Sequence, residues 1–178
     1  MSHLIPEFAT HNANFSACCA NGGTALHWAA TYGFDRTIDL LIQAGMSILD
    51  TDNDNVVPPL WAFREDDRSV GSSHDFAAEV IMHLIVVHGS PVNHLDNNRQ
   101  DILHLAAAHA RHRVVAFLLI TKRMNPNLQG VNGMTPLHLA TINHAGELTM
   151  QILKTEPDLT IRNKLGQTAL NVAIRRRI

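Results

Sequence analysis

A short motif recurs along this 178-residue chain and constrains its fold more than any other feature. Four copies align: Thr-Ala-Leu-His-Trp-Ala from Thr24, Asp-Ile-Leu-His-Leu-Ala from Asp101, Thr-Pro-Leu-His-Leu-Ala from Thr135 and Thr-Ala-Leu-Asn-Val-Ala from Thr168. A weaker copy, Pro-Pro-Leu-Trp-Ala-Phe, starts at Pro58, so the copies follow at spacings of 34, 43, 34 and 33 residues. This period indicates stacked supersecondary units, none of which buries its apolar face alone.

Each copy of the motif also predicts where a helix begins. A Thr hydroxyl can cap free backbone amides, and a proline one residue later suits the first helical position. Second helices are predicted over residues 36–44, 76–88, 112–121 and 146–155, where apolar residues such as Val114, Val115 and Leu118 recur at helical spacing. The sequence therefore predicts an all-α fold of stacked helix-turn-helix units.

The motif resembles the ankyrin repeat, whose signature Thr-Pro-Leu-His-x-Ala recurs every 33 residues. Gly22, Gly133 and Gly166 each stand two residues before the Thr position, where a tight turn needs an unhindered backbone. The resemblance covers residues 21–178 and implies an ankyrin-repeat solenoid of about five repeats, starting near residues 21, 54, 97, 131 and 164. Residues 1–20 are expected to form an N-terminal cap, and the last repeat to stop inside its first helix.

The spacing of 43 residues places about ten additional residues in the second repeat, near residues 65–74 and between its two helices. This segment is polar and reads as a loop. Two interpretations remain open: a surface insertion that costs little entropy, or a finger that contacts a partner.

The chain contains 12 histidines, which raises the question of metal or acid–base chemistry. Three of them, His27, His104 and His138, occupy the motif's own histidine position, where the ring is expected to bond backbone between repeats. His109 and His112 can share a helical face, but a zinc site needs three or four convergent ligands, which the local sequence does not supply. No metal and no cofactor are predicted. His83, His88 and His94 are expected at the surface or at a helix cap.

Motifs typical of enzymes do not occur in the sequence. It has no Gly-x-Ser-x-Gly elbow and no phosphate-binding Gly-x-x-x-x-Gly-Lys loop. Cys18 and Cys19 have no visible base beside them, and Asp66 and Asp67 lie in a polar segment where carboxylates are solvated. The sequence therefore predicts a protein that is not an enzyme and takes no small-molecule substrate.

The ankyrin resemblance implies a partner protein bound along a concave face, formed by turn tips and first-helix residues. Tyr32, Met134 and Ile142 are the expected apolar anchors, since exposed aromatic and methionine residues favour interfaces. Trp28 and Trp61 fall inside first helices and are expected in the core. Carried over by register, the predicted partner-binding residues are Tyr32, Asp54, Asn55, Glu65, Asp66, Asn97, Asn98, Gln100, His109, Asn132, Met134, Ile142, Asn143, Lys164, Arg175 and Arg176.

A narrower similarity lies within the ankyrin class. Ile-Leu-His-Leu-Ala-Ala from Ile102 and Leu-Thr-Met-Gln-Ile-Leu from Leu148 look like repeats of the inhibitors of NF-κB, including short viral ones. This similarity implies an alternative function, in which the chain sequesters a Rel-type transcription factor by covering a basic segment with acidic first repeats. A second alternative is a scaffold or adaptor subunit of a larger assembly, since fold alone does not give function.

The formal net charge of -2 conceals a separation of charge along the chain. Residues 1–98 carry 12 acidic and 3 basic residues, whereas residues 99–178 carry 4 acidic and 11 basic ones. In a solenoid this order becomes a spatial dipole, which predicts a basic partner segment at the first two repeats and would allow head-to-tail self-association at low salt. The balance argues against a globally basic nucleic-acid binder.

The sequence also bears on where the protein acts. Its apolar runs are too short for a transmembrane helix, and residues 1–6 lack the pattern of a secretory signal. Cys18 and Cys19 are adjacent and unsuited to a mutual disulfide, so we expect reduced thiols in the cytoplasm or nucleus and no membrane partner.

Overall fold

The computed structural model describes residues 19–63, 76–121 and 124–175 of the chain. Within these ranges every regular element is helical and no strand occurs. The chain divides into two compact units, unit 1 (Met1–Ser90) and unit 2 (Pro91–Ile178). The predicted insertion near residues 65–74, and most of the predicted cap over residues 1–20, lie outside the described residues. No helix in the described ranges is long and apolar enough to cross a membrane.

Unit 1 contains the first two repeats. Helices α1 (Ala25–Tyr32) and α2 (Asp35–Gln43) form the first repeat, and α3 (Pro58–Trp61) and α4 (Phe76–Val86) belong to the second. Helix α1 packs against α2, α3 and α4. The fully buried side chains that hold these helices together come from both repeats: Leu26, Ile38, Ile81 and Leu84. The second helices predicted over 36–44 and 76–88 are confirmed, with ends displaced by one or two residues.

Unit 2 contains the remaining helices of the described chain: α5 (Ile102–Ala108), α6 (His112–Ile120), α7 (Pro136–Ile142), α8 (Gly146–Leu153) and α9 (Ala169–Arg175). First helices pack on first helices, α5 on α7 and α7 on α9, while α6 packs on α8. None of these helices exceeds nine residues, too short to be stable alone in water. They depend on shared core residues such as Leu103, Leu118, Leu148 and Ile152, all 0% exposed.

The motif's Thr and His close the helix start and link neighbouring repeats. The hydroxyl of Thr135 donates to Nδ1 of His138 at 2.8 Å, and the Thr135 N–H donates to the same atom at 3.3 Å. The opposite ring nitrogen, Nε2, donates to the carbonyl oxygen of Gln167 in the next repeat at 3.1 Å. His27 repeats this pattern with Thr24 and Val56. The predicted structural role of these histidines is confirmed.

The third repeat varies the same arrangement, because Asp101 stands where the others have threonine. Its Oδ1 accepts the His104 N–H at 3.0 Å and lies 2.7 Å from His104 Nδ1, while Nε2 donates to the carbonyl of Leu128. Both side chains are almost completely buried. The buried carboxyl group of Asp101 therefore has hydrogen-bonding partners on the helix that it caps.

The turns between repeats are built on one hydrogen-bond pattern. In Asp52, Asp96 and Asn163, Oδ1 accepts the backbone N–H groups of the residues two and four positions later. Two positions before each helix cap stands a residue with positive φ. Glycine adopts this backbone conformation easily, and asparagine tolerates it. These residues are Gly22, Asn55, Arg99, Gly133 and Gly166.

This pattern corrects the alignment of the second repeat. Helix α3 begins at Pro58 with Val57 as its cap residue, so the motif starts at Val57 and the sequence alignment to Pro58 is wrong by one residue. Leu60, not Trp61, then stands at the histidine position. The error arose because Pro58 and Pro59 offer two equivalent alignments to a signature with one proline.

Candidate partner-binding surface

The turn tips of unit 2 lie side by side and bond to one another. The Lys164 N–H donates to the Asn132 carbonyl at 2.8 Å, and the side-chain amide of Gln129 donates to the carbonyls of Gly133 and Arg162. Unit 1 shows the same link, since the Asn53 N–H donates to the Asn21 carbonyl at 3.1 Å. Within each unit, neighbouring tips are therefore held together rather than forming independent loops.

A groove runs over these tips within unit 2. One cavity of about 420 Å³ is lined by side chains of the fourth and fifth repeats, and a second of about 580 Å³ covers the tips of the third to fifth. The cavities share Asn132, Asn163 and Lys164, and we call their combined lining the loop-tip groove. Seven predicted partner-binding residues lie in it: Asn97, Asn98, Asn132, Met134, Ile142, Lys164 and Arg175.

The loop-tip groove is basic and has apolar patches. Arg99, Arg162, Lys164 and Arg175 all line it and are exposed, and none of its described lining residues is acidic. Leu165 beside them is 78% exposed. Unit 2 as a whole carries 11 basic and 5 acidic residues. An acidic segment with interspersed apolar side chains is the complement of this surface.

The chemistry of the lining suits the binding of anions. The described residues that line the groove include no cysteine, serine, threonine, histidine or carboxylate. The one lysine among them, Lys164, is exposed. With its arginine, lysine and asparagine side chains, the groove can donate hydrogen bonds and bind anions.

The remaining predicted partner-binding residues lie elsewhere. Gln100 is half-buried, and its N–H bonds to Asp96. His109 is half-buried at the end of α5, where burial lowers its pKa. Asn143 is exposed, and its side-chain amide donates to the Ala108 carbonyl. Tyr32, Asp54 and Asn55 are exposed on unit 1. Glu65, Asp66 and Arg176 are outside the described residues.

Unit 1 presents a row of stacked aromatic rings, which we call the aromatic ladder: Trp28, Tyr32 and Phe34. The ring centroids of Trp28 and Tyr32 are 6.0 Å apart, and those of Tyr32 and Phe34 are 5.8 Å apart. The three side chains are 39%, 41% and 56% exposed. Three adjacent exposed aromatic residues form a surface suited to a protein partner.

The expectation that Trp28 belongs to the core is wrong, whereas the same expectation for Trp61 is confirmed at 2% exposure. Trp61 lies under Trp28, with centroids 5.3 Å apart, and its Nε1 donates to Asp52 Oδ2 at 2.8 Å. This inner indole fills the space next to Gly23, so the outer one is left at the surface. Phe34 was missed by sequence reasoning, although its place in the turn after Gly33 is a signal for exposure.

A separate cluster of side chains lies on the second helices of unit 1 and just after the second of them. Nε2 of His83 and Nε2 of His88 stand 2.7 and 2.8 Å from the same oxygen of Asp39, Oδ1. The hydrogen bond from His83 makes the largest contribution to a lowered pKa of Asp39, and the one from His88 makes the next largest. Among the described residues, these three form a group whose ligand atoms lie close enough together to hold a metal ion. Sequence reasoning missed it, because 44 positions separate Asp39 from His83.

Comparison with known proteins agrees with the repeat pattern. A family model described as ankyrin repeats, in three copies, matches residues 72–163, and a model of a single ankyrin repeat matches residues 21–53. Together these matches cover most of the chain outside its two ends. They confirm the predicted all-α repeat fold.

Individual relatives share the repeats within much longer proteins. Inversin of Gallus gallus is 32% identical over an alignment of 164 positions, which covers 88% of this chain and 14% of inversin. The ankyrin-containing BTB/POZ protein NPR3 of Oryza sativa is 30% identical over 41% of this chain and 12% of its own. Palmitoyltransferase AKR1 of Lachancea kluyveri is 23% identical over 84% of this chain and 19% of its own. The chain thus spans less than a fifth of the length of each relative.

Proposed function

Because this chain belongs to the ankyrin-repeat family, whose repeats are protein-interaction modules, we propose that it is a non-catalytic protein that binds an acidic, partly apolar segment of a partner in its loop-tip groove. The observation that carries the proposal is the composition of that groove. Four exposed cations surround apolar side chains, with no acidic group among the described lining residues. Such a lining complements carboxylates and apolar side chains together.

The groove supports binding through rigidity as well as charge. Its tips are held by the hydrogen bonds from Lys164 N–H to Asn132 and from Gln129 to Arg162. The backbone of these tips is therefore already ordered before a partner binds, which lowers the entropic cost of association. The arginines can form bidentate hydrogen bonds with carboxylates. Met134, Ile142 and Leu165 offer apolar contacts to the same partner.

A matched pair of charge reversals tests the proposal. Peptides are selected from a displayed library on the immobilised chain, and their affinity is measured by fluorescence anisotropy. Lys164→Glu, in the groove, should weaken binding at least tenfold and reduce its salt dependence. Lys154→Glu, at the end of α8 and outside the groove lining, makes the same change of charge in unit 2 and should alter affinity less than twofold. Equal losses of affinity in both variants would show that the peptide responds to the net charge of unit 2 and not to the groove, which would contradict the proposal.

Unit 1 carries a second candidate function, the one implied by the similarity to inhibitors of NF-κB. Residues 1–90 contain 11 acidic and 3 basic residues, and the aromatic ladder offers ring faces to cations. A basic segment would bind this unit, in the cytoplasm or nucleus. Asp54→Lys should then slow association of an arginine-rich peptide, whereas an unchanged on-rate would reject this function.

A third candidate is a scaffold or adaptor function, in which copies of the chain associate with one another. The opposite net charges of the two units favour head-to-tail pairing of copies at low salt. Sedimentation velocity at low and at physiological salt tests this point. A mass that rises only at low salt supports it, and a salt-independent monomer refutes it.

A further inference from the structure

We propose that Asp39, His83 and His88 form a binding site for a divalent transition-metal ion, with Zn²⁺ as the preferred ligand. The three side chains come from α2, from α4 and from the residues just after α4, all within unit 1. Their donor atoms, one carboxylate oxygen and two imidazole nitrogens, lie within 4.8 Å of one another. This site is independent of the loop-tip groove and of the function proposed for it.

The geometry needs little adjustment to admit an ion. Zinc bonds of about 2.0–2.1 Å in a tetrahedron place neighbouring ligand atoms about 3.3 Å apart. Both histidine Nε2 atoms now stand 2.7–2.8 Å from Asp39 Oδ1, so each must move by about half an ångström. The rings of His83 and His88 meet edge to face, with centroids 5.2 Å apart, and both Nε2 atoms lie within hydrogen-bond distance of the same carboxylate oxygen.

The ligand set selects the class of metal. Imidazole nitrogens suit zinc, copper, nickel and iron, whereas magnesium and calcium prefer oxygen ligands alone. Two histidines with one carboxylate are a set found in open zinc sites, where the fourth position holds water or another group. The cluster is half-buried: the His83, His88 and Asp39 side chains are 22%, 15% and 37% exposed. An ion can therefore enter from solvent, and the fourth position remains accessible.

A bound ion would connect two repeats. Asp39 belongs to the second helix of the first repeat, and His83 to the second helix of the second repeat. In the absence of metal, two hydrogen bonds to one oxygen make this connection. A metal ion would replace them with coordinate bonds and stabilise the folded state by mass action.

Zinc titration of the full chain, after removal of metals with a chelator, tests the proposal. We expect one equivalent of Zn²⁺ to bind and the thermal unfolding midpoint to rise. His88→Asn and His83→Gln should each weaken this binding at least tenfold, and Co²⁺ should give the visible bands of a four-coordinate site only in the unaltered protein. The matched control is His144→Asn, an exposed histidine in unit 2 whose φ of 54° suits asparagine, and it should bind zinc unchanged.

A second readout needs no variant. In long-range ¹H–¹⁵N spectra of the unaltered chain, zinc should shift the Nε2 signals of His83 and His88 and leave those of His144 in place. Equal zinc affinity in the His88→Asn variant, or shifts spread over the exposed histidines without preference for these two, would overturn the proposal.

Discussion

Replacement of His138 by alanine should destabilise the protein more than any change at an exposed position of the same motif. The His138 ring is 1% exposed and makes three hydrogen bonds: to the hydroxyl and the N–H of Thr135, and to the carbonyl of Gln167. At about 1 kcal/mol each, these bonds contribute about 3 kcal/mol, and the cavity left by the ring adds to the loss. We expect a total of about 3–4 kcal/mol.

Two further variants divide this quantity into its parts. His138→Asn keeps an oxygen that can accept from Thr135, as Asn171 does from Thr168 in the fifth repeat. It loses the bond to Gln167 and part of the ring volume, so we expect a loss of about 1–2 kcal/mol. Asn171→Ala removes the corresponding hydrogen bonds with Thr168, which are exposed to solvent. It should lower the free energy of unfolding by less than about 1 kcal/mol.

Urea denaturation followed by circular dichroism at a helical wavelength gives these free energies. The expected order of stability is wild type, Asn171→Ala, His138→Asn and His138→Ala, with the last far below the others. If the free energy of unfolding of His138→Ala lies within about 0.5 kcal/mol of the wild-type value, the buried histidine does not link the repeats.

Other consequences can be checked on the same material. Burial lowers the pKa of His138 below its ordinary 6.5, so the unfolded chain takes up the proton first as the pH falls. Stability should therefore be fully present above pH 6.5 and decline below it, and His138→Asn should flatten this slope in pH-dependent urea titrations. Gly23→Ala would place a Cβ 2.1 Å from the Trp61 ring and should cost about 1–3 kcal/mol or more, whereas Gly146→Ala, with no atom within 4 Å, should stabilise by up to about 1 kcal/mol in the same assay. Phe34→Ser should leave the unfolding midpoint nearly unchanged, because the ring is 56% exposed; a large drop would show that the aromatic ladder is part of the core.

Features that each repeat encodes locally were predictable from the sequence. The cap residue, the motif histidine and the apolar spacing lie within a few positions of one another, and they gave the second helices to within one or two residues. The role of His27 and His138 followed from the same local pattern. Register in the second repeat did not, because Val57 lacks the hydroxyl that marks the cap elsewhere.

Features that depend on contacts between distant residues were not predictable. Helical periodicity gives the direction of Trp28 but not what covers it, and the space beneath is filled by Trp61, 33 positions later in the chain. The convergence of Asp39 with His83 and His88 depends on packing between second helices of different repeats. By contrast, seven residues of the loop-tip groove could be placed together by register alone, since turn tips and first helices recur with the repeat.

Binding of a partner to unit 2 through the loop-tip groove can be observed residue by residue. The most direct measurement is a titration of the ¹⁵N-labelled chain with a selected acidic peptide, followed through backbone amide shifts. We expect the largest shifts at the tips, around Asn132, Met134 and Lys164, and small ones on α6 and α8. Shifts concentrated on α8, for example around the exposed Met150, would contradict it.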